Sequence, residues 1–418
     1  MYAATVSRSF AEAGALMDRL AETPVPAKQV ERLTRRVGSE RVAERAAAVA
    51  DFQALPLAQK FQRPAAVPPP ALAVVMVDGG RLQILDPPAA ATDDGAAATT
   101  VAAAGPAVAA ESWGEEAVTT GHWREDKVGL LLTMTSEVAT ADPCPNLPPA
   151  FRQVTRIPKL VRELHRHVKQ AEDAAVEATD LAAEEAAWHE ATTYEPPAVA
   201  HRHVVASRQR WPEFAPILAQ AAWAAGFQQA ERKAFVADGA ANNWEVQRRF
   251  FGSFEPILDF IHALAYVYAA AQAGRRFADG WRCYQPWIGW VWQGQVAQVI
   301  AALQQRQAEL GPPEAGEAET SPRSVVQRSL TYLTNHQDKM PYDRYRRQGL
   351  PITSSLMESV VKQVGRRVKG TEKFWSEAGA EAILQLRADH LSDEGVIEAF
   401  WQRRQQTATG QRRYRSAG

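Results

Sequence analysis

The chain has 418 residues, a formal net charge of −1 and 46% hydrophobic residues, which is typical of a folded globular protein and excludes an intrinsically disordered one. Cys144 and Cys283 are the only cysteines, so a cysteine zinc cluster and a disulfide framework are excluded and a reducing cytoplasm is predicted. The sequence has no run of about 18 apolar residues and no apolar signal core at its start, so we expect neither a membrane span nor export.

The N-terminal segment, residues 1–62, is predicted to contain three short helices. Ser9 is positioned to cap the first helix, and Gly38 separates the second from the third. A helix, a short turn and a helix that carries Arg35 and Arg36 are compatible with a helix-turn-helix DNA reader. A small helical packing module with a solvated basic face explains the same pattern, so both interpretations stay open.

Residues 63–243 contain the predicted strands. The apolar run 72–77 predicts a strand that ends on Asp78, and the run 128–134 predicts a second strand. Between them, residues 87–112 are rich in Ala, Gly, Thr and Asp, which predicts a disordered loop.

Residues 201–207 are compatible with a third strand or with a short helix entry, and an amphipathic helix is predicted at 211–226. The apolar run 234–237 follows and ends on Asp238. A carboxylate at the end of a buried strand lies at the edge of a sheet, where ligands bind in open α/β folds. A carboxylate that merely caps the next helix explains Asp238 alone equally well. This order of strands and helix is that of a ribonuclease H-like core.

Residues 244–350 are predicted to be all-helical and are rich in aromatic residues. Asp259 and His262 stand three residues apart, so a helix would place them on one face. The dense group of tryptophans between Trp281 and Trp292 is explained either by helix packing or by a surface on which nucleotide bases stack.

Residues 351–402 begin with a turn and continue as a helix with Glu358 in its first turn. Lys362 and Arg366 follow at four-residue steps on the same face, and taken alone Glu358 and Lys362 make an ordinary surface pair. The chain ends in a basic tail, residues 403–418. From residue 321 onward there are 17 Lys and Arg against 10 Asp and Glu, which favours a polyanionic partner.

Taken together, Asp78, Asp238 and Glu358 are the oxygen ligands that two Mg²⁺ ions need. Two such ions, about 3.5–4 Å apart, activate a water or a 3′-hydroxyl for in-line phosphoryl transfer. The cations that follow Glu358 would hold the phosphate backbone. A glycosidase uses two carboxylates, but it explains neither the third carboxylate nor the basic helix.

Five segments, VMVDGGRLQI, WREDKVGLLLT, KAFVADGAANNW, ILDFIHALAYVYAAA and SSLMESVVKQVGRRVKGTEKFW, resemble bacterial insertion-sequence transposases of the DDE type. They are most similar to the Mutator-like branch, and the resemblance covers roughly residues 9–402. It implies an α/β, mixed-sheet fold: a ribonuclease H-like core with a large all-helical insertion. It also implies Mg²⁺ or Mn²⁺ as cofactor, and cutting and joining of the element ends.

By position, the resemblance assigns Asp78, Asp238 and Glu358 to the catalytic and metal-binding triad. His262 matches the His of a Cys-or-Asp-x-x-His signature whose first position is Asp259, although a packing role in the helical core is a comparable alternative. The side chains expected to contact DNA are Lys362, Arg366, Arg367 and Lys369, with Arg35 and Arg36 in the N-terminal segment.

Two departures from the family pattern bear on activity. Full-length members are expected to carry more sequence ahead of Ser9, so this chain is expected to lack part of its end-recognition domain. The Ala- and Gly-rich insert beside Asp78 is also unusual. Either could leave an intact site in an element that no longer moves.

The expected function is therefore DNA transposition in the bacterial cytoplasm, at the nucleoid, by a homodimer or higher oligomer that binds terminal inverted repeats and target DNA. Two alternatives remain on the sequence: a truncated, non-catalytic DNA-binding derivative, and a metal-dependent nuclease that does not join strands.

Overall fold

The computed structural model describes residues 2–85, 113, 122–164, 194–370 and 373–406. These residues form a mixed α/β fold in which helices pack on both faces of one mixed sheet. The loop predicted at 87–112 lies outside the described residues.

The sheet has six strands among the described residues, in the spatial order β3-β2-β1-β4-β5, with β6 paired to the far end of β1. In chain order they are β1 (Leu72–Ile84), β2 (Trp123–Thr135), β3 (Ala198–Ser207), β4 (Arg232–Ala237), β5 (Glu255–Leu258) and β6 (Phe374–Trp375). The β1–β2 and β2–β3 pairs are antiparallel, whereas β1–β4, β4–β5 and β1–β6 are parallel. The sheet is therefore mixed, as expected.

Fifteen α-helices surround the sheet in the described part of the chain. They are α1 (Tyr2–Val6), α2 (Phe10–Ala21), α3 (Ala27–Ala54), α4 (Leu57–Lys60), α5 (Ile157–Leu164), α6 (Trp211–Ala224), α7 (Ala241–Phe250), α8 (Phe260–Gln272), α9 (Phe277–Trp292), α10 (Val296–Leu310), α11 (Pro322–His336), α12 (Tyr342–Arg347), α13 (Ser355–Val368), α14 (Glu377–Leu391) and α15 (Val396–Gln406).

Alternate residues of β1 face two separate apolar layers. Val74 and Met76 pack in the layer that contains α13 and the helices after β5, whereas Val75 and Val77 pack in the layer that contains α6. Because both faces are covered, the central strands are apolar almost throughout, which is why they were recognisable as buried strands in the sequence.

The N-terminal helices differ from the prediction at Gly38. The predicted stop is wrong, because α3 runs through Gly38 as one helix of 28 residues. A Cβ on Gly38 would lie 2.5 Å from the carbonyl oxygen of Ala382 in α14, so the glycine permits close helix packing rather than ending a helix.

The same helix is tied to the rest of the fold by ion pairs. Arg41 Nε lies 2.9 Å from Asp389 Oδ2, and Arg45 pairs with Glu381, both on α14. The C-terminal half of α3 therefore packs as part of the main body and not as a separate N-terminal module. The turn between α2 and α3 is present, as expected.

The interval 244–350, predicted to be all-helical, contains strand β5, so that prediction is wrong at its start. β5 pairs in parallel with β4, and Pro256 is tolerated because β5 lies at the edge of the sheet. Four residues are too few to show a strand period in the sequence. The helical part runs from α8 to α12.

Several aromatic residues of that helical part are buried, whereas Phe277 is exposed and Trp281 and Trp290 are half-buried. Trp287 and Trp292 are buried, and Trp292 Nε1 donates to the carbonyl oxygen of Cys144 at 2.7 Å. Packing, rather than base stacking, is therefore the role of these two tryptophans.

The predicted basic tail begins inside a helix. Arg403 and Arg404 belong to α15 and pair with Glu44 and Glu40 of α3, while residues 407–418 lie outside the described part. None of the helices described here is both long and apolar enough to cross a membrane.

Gly38→Ala should destabilise the protein by about 1–3 kcal/mol, because the new methyl group overlaps the α14 backbone. The matched control is Gly365→Ala in α13, where no described atom lies within 4 Å of the new Cβ. That change should stabilise the protein by about 0.5–1 kcal/mol through helix propensity. Urea unfolding of both variants measures the effects, and equal shifts would contradict the close α3–α14 contact.

Candidate active site

The register of two parallel strands brings Asp78 and Asp238 side by side. The last β1–β4 pair joins Met76 to Val236, and Asp78 and Asp238 each stand two positions further along. The prediction that the first strand ends on Asp78 is wrong, because β1 continues to Ile84 along β2. The strand that ends there is β4, so Asp78 lies where β1 loses its neighbour on that side.

Asp238 is held by the start of the following helix. Its Oδ1 accepts hydrogen bonds from the backbone N–H of Ala240 at 3.0 Å and from Asn243 Nδ2 at 2.8 Å. Asn243 is buried, and Nδ2 also lies 3.4 Å from the carbonyl oxygen of Val77. Asn243 thus joins the Asp238 carboxylate to the strand that carries Asp78.

Asp259 is a fully buried carboxylate that connects three elements. It follows β5 directly and caps α8, where its Oδ2 accepts from the backbone N–H of His262 at 2.9 Å. The same oxygen lies 2.6 Å from His262 Nδ1, and Oδ1 accepts from the backbone N–H of Ser354 at 2.7 Å. Asp259 therefore orients His262 and fixes the turn that begins α13.

Glu358 lies in the first turn of α13, four residues after Ser354. Helix α13 packs on β1, and the Glu358 side chain is 18% exposed, with Oε2 3.9 Å from Lys362 Nζ. Ser354 stands at the N-cap position, but its side chain makes no capping hydrogen bond.

The pKa shifts of Asp78 and His262 reflect electrostatic interactions among these groups. Burial and the carboxylate of Asp238 raise the pKa of Asp78 to about 7, with a further contribution from Glu358, whereas His262 opposes the rise. Burial alone would lower the pKa of His262, but the hydrogen bond and charge of Asp259 outweigh it and raise that pKa to about 9, helped by Asp238 and Glu358. The fold thus gathers Asp78, Asp238, Glu358 and His262 into one electrostatic cluster, and each of them is partly exposed.

Oxygen donors dominate this cluster, and oxygen donors suit Mg²⁺ and Mn²⁺. Burial and, after it, the neighbouring carboxylate of Asp238 raise the pKa of Asp78, and a bound cation would favour the ionised form. The residues present therefore fit a divalent ion in chemistry. As they stand, however, the described side chains contain no group of three or more His, Cys, Asp or Glu arranged to hold a metal.

The residues predicted to contact DNA separate into two groups. Lys362 and Arg366 are exposed on α13 and Lys369 is exposed at its C-cap, whereas Arg35 and Arg36 are exposed on α3, where Arg35 pairs with Glu31.

Arg367 does not fit its predicted role, because only 3% of the residue is exposed. Its Nε donates to the carbonyl oxygen of Ala4 at 3.1 Å, and its guanidinium lies over the rings of Phe10 and Trp375. Burial lowers the pKa of Arg367 to about 10. The side chain fastens the N-terminal helices to α13, and the one-residue offset from Arg366 turns it inward.

Two residues that the sequence analysis did not single out, Asn243 and Tyr332, hold Asp238. The Asn-Asn pair just after Asp238-Gly239 was a usable signal for Asn243, since a side-chain amide at a helix start can bond nearby polar groups. Tyr332 gave no signal, because it lies 94 residues from Asp238 in the sequence.

No family model matches this sequence, and no curated protein matches it.

Asp78→Asn should stabilise the metal-free protein at pH 8 on the order of 1–3 kcal/mol. A carboxyl with a raised folded pKa keeps its proton between about pH 4 and 7 while the unfolded chain loses it, so its ionisation destabilises the fold fully above about pH 7. The gain should fall as the pH drops below about 7 and vanish near pH 3, where both states bind the proton. Thermal unfolding in a chelator at both pH values measures it.

The control for that experiment is Asp279→Asn on α9, which removes a carboxylate paired with Arg276 and Arg282 at the surface. It should bring no stabilisation at pH 8. An Asp78→Asn protein no more stable than the wild type at pH 8 would show that burial and the neighbouring charges do not raise the pKa of Asp78.

Proposed function

We propose that this chain is a metal-dependent DNA transposase of the DDE type, which cleaves and joins strands by in-line phosphoryl transfer. The observation that carries the proposal is geometric: the parallel register of β1 and β4 places Asp78 beside Asp238, and α13, which packs on β1, carries Glu358 in its first turn. Beside them begins a helix whose exposed face is basic, which suits a polyanionic substrate.

The topology supports a ribonuclease H-like core. Three antiparallel strands, β1 to β3, are followed by β4 and β5 parallel to β1, and the first two carboxylates stand on the central pair β1 and β4. Along the chain, helices α8 to α12 lie between strand β5 and the Glu358 helix α13, and they form the insertion.

The three carboxylates would hold Mg²⁺ or Mn²⁺, and two bound ions would supply an activated oxygen nucleophile and charge stabilisation of the leaving oxygen. Binding of the ions would require the carboxylate side chains to move from the arrangement described above.

His262 contributes a fixed positive charge. Asp259 accepts from Nδ1 and keeps the ring protonated at neutral pH, so Nε2–H is the donor left for a phosphate oxygen. A protonated imidazole beside the carboxylates would orient the scissile phosphate and stabilise its developing charge.

The side chains of Lys362, Arg366 and Lys369 extend this positive surface away from Glu358 along α13. They span about 11 Å from Lys362 to Lys369 at 1.5 Å of rise per residue, enough for roughly three phosphates of one B-DNA strand. The substrate DNA would include the element ends and the target, bound by a dimer or higher oligomer in the bacterial cytoplasm.

Asp78→Asn, Asp238→Asn and Glu358→Gln should each lower Mg²⁺-dependent cleavage at least about 100-fold, because each removes one anionic ligand. The substrate is DNA that carries the sequences flanking this coding region, and a strand-transfer assay on the same DNA measures joining. Each variant should also lose Mn²⁺ affinity, measured from the free-Mn²⁺ electron paramagnetic resonance signal.

Asp279→Asn is the matched control and should behave as the wild type in both assays. Cleavage without joining would favour the nuclease alternative. DNA binding without Mn²⁺ binding or cleavage by the wild type would favour the non-catalytic derivative. Cleavage that survives all three substitutions would reject the triad.

Removing one exposed cation at a time from α13, with Lys362→Gln, Arg366→Gln or Lys369→Gln, should weaken DNA binding on every sequence. The slope of log affinity against log salt should fall by about 1 for each phosphate that the variant no longer neutralises. Arg276→Gln is the control, since this residue stands at the N-cap of α9 and has 88% of its side chain exposed. An equally weakened Arg276→Gln protein would place the DNA elsewhere.

A further inference from the structure

A helix from the region between β5 and α13 contacts the backbone of Asp238 directly. Tyr332, on α11, donates its hydroxyl hydrogen to the carbonyl oxygen of Asp238 at an O···O distance of 2.5 Å. Because a carbonyl oxygen can only accept, the hydroxyl of Tyr332 is the donor. The contact joins parts of the chain that are 94 residues apart.

The residue after Asp238 is shaped to accept this contact. Gly239 has φ +100, a backbone conformation that side-chain-bearing residues rarely adopt. A Cβ on Gly239 would also lie 2.7 Å from the ring of Tyr332. Glycine is required here by the turn and by the tyrosine together.

Neighbouring rings hold Tyr332 in place. The ring of Tyr266, on α8, stacks on it with centroids 3.7 Å apart and planes 16° from parallel. His336 is one turn further along α11, where its Nδ1 lies 2.8 Å from the carbonyl oxygen of Tyr332 and its ring also faces the Gly239 backbone. Tyr332 and His336 thus form one face of α11 that is seated on the Asp238–Gly239 segment.

We propose that Tyr332 is a positioning residue for the candidate active site, through which α11 holds the Asp238–Gly239 segment so that the Asp238 carboxylate stands beside Asp78. This inference rests on the proposed function. It makes the helical region a control element of the site, since displacement of α11 would release Asp238 from one of its anchors.

Asp238 is held at two points, its side-chain carboxylate and its backbone carbonyl oxygen. Ala240 and Asn243 bind the Asp238 carboxylate, whereas Tyr332 binds its carbonyl oxygen. With the carbonyl fixed, the Asp238–Gly239 peptide plane does not rotate, so the donors of Ala240 and Asn243 stay aligned with the carboxylate that stands beside Asp78. A misplacement of about 1 Å at a reacting group can cost on the order of 100-fold in rate.

Tyr332→Phe tests the role, because it keeps the ring and removes the hydroxyl. The matched control is Tyr284→Phe: Tyr284 is fully buried on α9 and donates to the carbonyl oxygen of Phe151 at 3.0 Å. Each variant removes the same kind of hydrogen bond, so the two should be destabilised to a similar extent. Tyr332→Phe alone should lower kcat about 10- to 100-fold, with the KM for DNA unchanged.

Two further measurements do not depend on turnover. Tyr332→Phe should weaken Mn²⁺ binding, followed by electron paramagnetic resonance, and should speed amide hydrogen exchange in a peptide that covers Asp238 to Asn243. Tyr284→Phe should do neither. Gly239→Ala, which pushes against the tyrosine from the other side, should change both in the same direction as Tyr332→Phe.

The outcomes separate the two proposals. A Tyr332→Phe protein that matches Tyr284→Phe in kcat, Mn²⁺ affinity and exchange would overturn the positioning role. If the wild type neither binds Mn²⁺ nor cleaves DNA, the proposed function fails. In that case hydrogen exchange at Asp238 to Asn243 that is the same in Tyr332→Phe as in the wild type would overturn the role of the Tyr332 contact as well.

Discussion

The parallel pairing of β1 with β4 is the constraint on which the candidate site depends. The pairing fixes which residues stand opposite one another, and a slip of one position would turn the Asp78 or Asp238 side chain to the other face of the sheet. The register is secured by two apolar layers, which take alternate residues of β1 and leave no freedom to slide. Two carboxylates from distant parts of the chain are neighbours because buried apolar residues before them pair in only one way.

The position of the third carboxylate, Glu358, depends on the buried side chain of Asp259. Asp259 is fully buried and accepts from His262 and from the backbone of Ser354, so the end of β5 and the start of α13 are fixed to one side chain. A buried ionised carboxylate is costly unless it is fully hydrogen-bonded. The ring Nδ1 of His262 and the backbone N–H groups of His262 and Ser354 supply those contacts here. The same side chain thereby sets the protonation of His262 and the placement of the Glu358 helix.

The rest of the chain braces this arrangement from outside. Helix α3 is joined to α14 by buried ion pairs, Arg367 anchors the first helices to α13, and Tyr332 carries the helical region onto Asp238. Segments that look like separate modules in the sequence are thus continuous with the body that holds the site. Proposals about DNA recognition by the N-terminal helices must therefore allow for the fact that half of α3 is packed against α14.

The sequence by itself determined the presence of strands β1 to β4, the Ser9 cap and the position of Glu358 at the start of a helix, because these follow from local apolar runs and capping chemistry. It could not determine that Gly38 lies inside a helix, that Pro256 belongs to an edge strand or that Arg367 points inward. Each of these depends on what lies opposite the residue: the backbone at Ala382, the edge of β4, and the rings of Phe10 and Trp375. Asn243 and Tyr332 likewise acquire their roles only when distant segments meet at Asp238. Local pattern records which residues avoid water, whereas the partner of a buried polar group is chosen by tertiary packing, since its hydrogen bonds must be satisfied by whichever group the fold brings within reach.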